Sequence, residues 1–140
     1  MTQARLLCLL FAFAALGCVK EISFSPSGAR PALPPNVAIY SASPDSVWNA
    51  LLDSVRFQYL FSIEVEDSKQ GYFATKWIPD SLNPQNARFR LSATVRAVPE
   101  GTAVTLYREQ QVLSENAWKA VPSDYSLERR ILEDLKNRLR

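Results

Sequence analysis

Two cysteines and no histidine limit what this 140-residue chain can do chemically. Cys8 lies inside an apolar run, Leu6 to Leu16, and Cys18 follows directly after it. If residues 1–17 are a removed leader, Cys18 is the one thiol left, and it stands at the new N-terminus. Without imidazole or a second thiolate, neither a Ser-His-Asp nor a Cys-His catalytic centre can be built, nor can the usual zinc sites. Any catalysis would rest on carboxylates, Lys, Tyr or Ser. The expectation is a non-catalytic protein with no cofactor and no metal, in which the chemistry of Cys18 is attachment.

Three other groupings have the right residue types for a site. Arg88, Arg90 and Arg96 point the same way from one alternating segment, with Ser92 and Thr94 between them. They could grip an acidic partner surface, a lipid phosphate or an anionic glycan, or simply form the solvated face of a sheet. Glu64, Glu66 and Asp67 are close in sequence, but a Ca²⁺ site or an acid-base pair needs further oxygen ligands or an opposed carboxylate, so they read as a solvated face. The aromatics Trp48, Phe61, Phe73, Trp77 and Phe89 fit either an ordinary core or an apolar pocket between helix and sheet. Trp118, in a polar stretch, reads as an exposed loop residue suited to a protein or membrane contact.

The elements that must position these groups begin with the leader. Arg5 supplies one positive charge before the apolar run, which at about 1.5 Å per helical residue covers only about 16 Å of the roughly 30 Å that a spanning helix must cross. It is a signal-peptide core rather than a membrane span. The junction Ala15-Leu16-Gly17-Cys18 resembles the lipobox of bacterial lipoproteins, in which small residues precede a cysteine that is acylated and becomes the mature N-terminus. Ala15 replaces the commoner Leu of that pattern. A permanent anchor takes more than one acyl chain, because a single chain binds only reversibly. The resemblance implies attachment to a membrane through palmitate-type acylation of Cys18. In a Gram-negative cell, Val19 in place of Asp implies the outer membrane, facing the periplasm.

Residues 18–36 hold Pro26, Pro31, Pro34 and Pro35 and read as a tether, with a reach of roughly 60 Å at about 3.3 Å per residue. Residues 37–140 read as a single domain. Val37 to Tyr40 is a short strand. Ser43 as N-cap, Pro44 in the first turn and Asp45 near the dipole open a helix whose apolar stripe is Val47, Trp48, Leu51, Leu52 and Val55. Phe61, Ile63 and Val65 alternate as a strand, Asp67 to Gly71 is a turn, and Tyr72 to Ile78 returns as a second strand that Pro79 stops. Pro79 to Asn86 is a loop. Ala87 to Val98 and Thr102 to Leu113 form a hairpin about Pro99-Glu100-Gly101. Ser114 to Pro122 reads as a loop, and Ser123 to Leu139 as an amphipathic helix with Leu127, Ile131, Leu135 and Leu139 on one face. The fold class expected is α+β: a two-layer antiparallel sheet of four to five strands with both helices on one face, a helix-grip-like arrangement.

The run Ser43-Pro44-Asp45-Ser46-Val47-Trp48, followed by Phe61 to Asp67, the Asp67-x-x-x-Gly71 turn and the strand through Trp77, resembles the repeated domain of the BamC (NlpB) lipoproteins of the outer-membrane β-barrel assembly machinery. It covers about a third of the chain. Those proteins carry two such domains and a long N-terminal segment that wraps a partner, whereas this chain has room for one domain and a short tether. What the resemblance implies is a lipid-anchored envelope protein acting as an interaction module, accessory to outer-membrane protein assembly, with an envelope protein as partner. The alternative function is a periplasmic binder of a small hydrophobic ligand or lipid in a pocket between helix and sheet. A net charge of +2, which falls to about +1 once Arg5 is removed, argues against nucleic acid as a partner. The candidate site residues are therefore Cys18 for lipidation and Arg88, Arg90, Arg96 and Trp118 for partner binding.

Overall fold

Alternation of apolar and polar residues builds the centre of the molecule. In the computed structural model, which describes residues 32–140, two long strands, β5 (Ala87–Val98) and β6 (Gly101–Ser114), pair along their whole shared length, from Ala87 opposite Val112 to Val98 opposite Gly101. Leu91, Ala93 and Val95 of β5 lie opposite Arg108, Leu106 and Val104 of β6, and this face is covered by helices. Cys18 and the leader lie outside the described residues.

The shorter strands flank this pair. On the β6 side, β1 (Val37–Tyr40) pairs with Thr102 to Thr105, and β7 (Ala117–Val121) pairs further along with Gln110 to Ser114. On the β5 side, β3 (Tyr72–Thr75) pairs with Ser92 to Thr94, β4 (Ile78–Pro79) with Arg88 and Phe89, and β2 (Ile63–Asp67) closes the far edge against β3. The described residues thus form an α+β unit with an open antiparallel sheet of seven strands and two helices. The expected four to five strands was too few, for two reasons. The single strand read from Tyr72 to Ile78 breaks at Lys76 and Trp77 into β3 and β4, and the segment read as a loop from Ser114 to Pro122 holds β7.

Helix α1 (Pro44–Asp53) starts as the residues dictate: Ser43 Oγ accepts the backbone N–H of Ser46, and Pro44 takes the first turn. Its stripe of Val47, Trp48, Leu51 and Leu52 is buried, and Trp48 meets Phe73 edge-on at 6.1 Å. The helix runs on into a wider π-helical turn, Ser54–Gln58, closed by Tyr59 N–H to Ser54 C=O at 3.0 Å and followed by Phe61 N–H to Val55 C=O at 2.9 Å. Helix α2 (Ser126–Arg138) buries Ile131, Leu132 and Leu135 against the same sheet face. Each such fully buried aliphatic side chain contributes about 1.5–3 kcal/mol. The centre of the helix–sheet interface is filled by side chains, Trp48, Phe73 and Leu91 among them.

Two backbone details set the edges. At Gly71 the φ of +61° and the 2.7 Å bond from Val95 N–H to its carbonyl bring two backbones so close that a Cβ would lie 2.2 Å from Val95 O, so only glycine fits the turn. In β2 a bulge between Ile63 and Val65 shifts the register. Ile63 packs against the core, while Val65, expected on the same side, is exposed.

Candidate functional site

The sheet face turned away from both described helices carries the arginines and Trp118 singled out from sequence. Arg88 and Arg90 alternate with Phe89 and so point away from the helices. Trp77, just before β4, comes from one side of β5. Trp118 comes from β7, where it pairs with Leu113 beyond β6 on the other side. The guanidinium carbon of Arg88 lies 4.4 Å from the centroid of Trp77 and 4.1 Å from that of Trp118, so the cation is flanked by two indoles. Such contacts contribute about 0.5–1 kcal/mol each at exposed sites. In its own plane Arg88 donates from Nε and Nη2 to Gln111 Oε1, at 3.0 and 2.9 Å. Gln111 in turn donates to Glu109 at 3.2 Å, and Glu109 pairs with Arg90 at 3.5 Å. Arg90 is itself 5.5 Å from Trp77.

The structure therefore gathers Arg88, Arg90 and Trp118 and leaves Arg96 apart. Arg96 stands eight residues along β5 from Arg88, roughly 26 Å at about 3.3 Å per residue, exposed near the opposite end beside Asp45 and Lys69. Trp118 was expected in a loop. It sits on a strand and is 37% exposed, because the Glu115-Asn116 turn, with φ of +53° and +62°, folds the chain back into a hairpin. Trp77, expected with the core aromatics, belongs instead to this outer cluster.

A second cluster was not foreseen. Arg108 follows Val104 and Leu106 on the helix-facing side of β6, and its side chain is only 12% exposed. It donates to Ser123 Oγ at 3.1 and 3.0 Å, pairs with Asp124, and lies 3.6 Å from Glu128, which is fully buried on α2. Ser123 Oγ donates to Glu128 Oε1 at 2.8 Å, while Oε2 has no hydrogen-bond partner. The sequence did hold a signal: Arg108 occupies a buried step of the strand period, and Glu128 sits three and seven residues before Ile131 and Leu135. Asp124 caps α2 by accepting from the Ser126 N–H at 3.0 Å and from its hydroxyl at 2.7 Å. Together with Arg108, these bonds hold its carboxyl down at about 2.

Beside this cluster an open groove of about 510 Å³ runs between Tyr59 and Phe61 on one wall and Ile78 to Leu82 on the other, with Phe89, Arg108, Leu127 and Arg130 completing it. Phe61 meets Phe89 edge-on at 5.6 Å. Burial pushes the Tyr59 hydroxyl well above the ordinary phenol range, and its hydrogen bond to Asp134 adds to this. Burial and then Glu133 do the same for Tyr40, which donates to Leu132 C=O at 2.8 Å. Both stay neutral near pH 7 and neither offers a phenolate base. Among the described residues no group of three acidic, His or Cys side chains converges as metal ligands would, and no helix is long and apolar enough to cross a membrane. Comparison with protein-family models and with curated protein sequences gives no match.

Proposed function

We propose that this chain is a lipid-anchored protein of the cell envelope, held through Cys18 on the periplasmic face of the outer membrane. Its folded domain works as a non-catalytic interaction module that contacts an envelope protein through the open face of the sheet. The resemblance to BamC-type domains supports a helix-grip-like reading of the fold and an accessory place in outer-membrane protein assembly. One observation carries the interaction reading: the Trp77, Arg88 and Trp118 stack stands on a sheet face that no helix among the described residues covers. Tryptophan and arginine dominate binding hot spots because they bury large areas, and side chains already held in place lose little further entropy on binding. The alternative, a small hydrophobic ligand between helix and sheet, would have its place not in the filled centre of that layer but in the groove of about 510 Å³ at its margin, where Phe61, Phe89 and Leu127 supply apolar walls.

The reading is tested by a photoreactive residue placed at position 118, and separately at 90, in intact cells, with mass spectrometry of what is captured. One specific envelope protein should be recovered from both positions. Trp77→Ala, which frees one side of the Arg88 stack, should reduce its recovery about tenfold, a change of the size expected for a lost hot-spot contact. No specific protein from either position would overturn the interaction reading.

A further inference from the structure

Apolar side chains stand in water at one end of the domain. Leu82, in the β4–β5 loop, is 94% exposed, Leu60 is 78% exposed, and Phe57, one turn before it on the π-helical extension, is 74% exposed. Single exposed leucines need no explanation. Leu60 does, because its φ of +58° is the left-handed conformation that ends helices and that normally calls for glycine. A bulky side chain there strains the backbone and gains almost no burial in return. Strained residues of this kind cluster where function holds them. The π-helical turn before it is itself a feature found often at functional sites.

Leu60 lies between Tyr59 and Phe61, which line one wall of the groove, and Leu82 lines the other, so both leucines rim an aromatic-walled opening. The charged residues lining that opening are Arg108, Arg130 and Asp80, and Asp80 is already engaged by the backbone N–H groups of Leu82 and Asn83. From an apolar rim and the exposed Arg130 beside it, with the lining's one carboxylate already engaged, we propose that this end of the domain is a membrane-contact surface, bedding Leu60 and Leu82 among the lipids of an anionic bilayer with Arg130 at the headgroups. The proposal rests on the anchored reading above and gives the anchored domain a preferred orientation.

Among the described residues, every core residue lies between Ala38 and Leu139. The chain can therefore be prepared from residue 18 with Cys18→Ser, which keeps the core and takes acylation out of the readout. It is floated with phosphatidylglycerol–phosphatidylethanolamine vesicles and with phosphatidylcholine vesicles. Binding should favour the anionic vesicles and fall about tenfold in Leu82→Asp and in Leu60→Asp, the scale set by withdrawing one leucine from an apolar phase. It should be unchanged in Tyr107→Asp, an exposed position on the open sheet face. Leu60→Gly separates stability from function: its melting temperature should rise as the strained backbone is relieved, while its lipid binding falls. A chain that does not float, or variants that float equally well, would overturn the proposal. So would a photoreactive residue at position 82 that captures one protein and no lipid. The capture from positions 118 and 90 reads the other face, so either reading can fail while the other stands.

Discussion

At Asp124 the local bonding is dense enough to be read by titration. The Ser126 N–H and hydroxyl both donate to it and Arg108 sits against it, so its carboxyl is depressed from the ordinary 3.8 to about 2. A depressed carboxyl stabilises the folded state above its unfolded value, and that contribution is lost as pH falls from about 4 towards 2. Followed by NMR, the Asp124 carboxyl should titrate near 2, and Ser126→Ala, which removes one of the two Ser126 bonds, should move it part of the way back to 3.8. A wild-type midpoint at the ordinary value would contradict the cap geometry. Individual residues were legible from sequence where one local rule decides them. The Ser43 cap, Pro44 in the first turn and the Gly71 turn all appear as read. Trp77 was misplaced, because an aromatic in a broken strand can turn to either face and only the pairing of Ile78 with Phe89 shows which.

Between elements, the buried contact of Arg108 with Glu128 ties β6 to α2. Removing one partner leaves a buried charge unmatched. Arg108→Met should therefore cost about 3–5 kcal/mol, whereas the double variant Arg108→Met with Glu128→Leu should recover most of that loss, because an apolar pair of similar volume replaces a poorly solvated ionic one. Urea unfolding of the wild type, Arg108→Met, Glu128→Leu and the double variant measures this directly. Losses that simply add would show that the two side chains do not depend on each other. The long strands were legible because Ala87 to Val98 and Thr102 to Leu113 have one buried and one open face, which imprints a period of two. Strand β7 was not, since Ala117 to Lys119 are exposed on both faces at the sheet edge and leave no such imprint, and Glu115 stands where a hairpin turn customarily shows Asn or Gly. The bulge at Val65 was equally hidden, because a register shift depends on the partner strand.

For the whole molecule, anchoring is the property with the plainest test. Cys18→Ser should abolish incorporation of labelled palmitate and release the protein from the membrane fraction or leave it with an uncleaved leader; unchanged labelling would refute the lipoprotein reading. The sequence by itself determined the α+β class, both helices, the central hairpin and the absence of His and Cys chemistry from the domain, because caps, periodicity and composition are local or additive properties. Only the tertiary structure decided that seven strands share one sheet, that Arg88 lies between two tryptophans more than ten residues away on either side in sequence, and that Arg96 stands apart from it. The physical reason is that strand pairing joins residues distant along the chain. It chooses register and face by the packing of the partner strand, which no window of sequence contains.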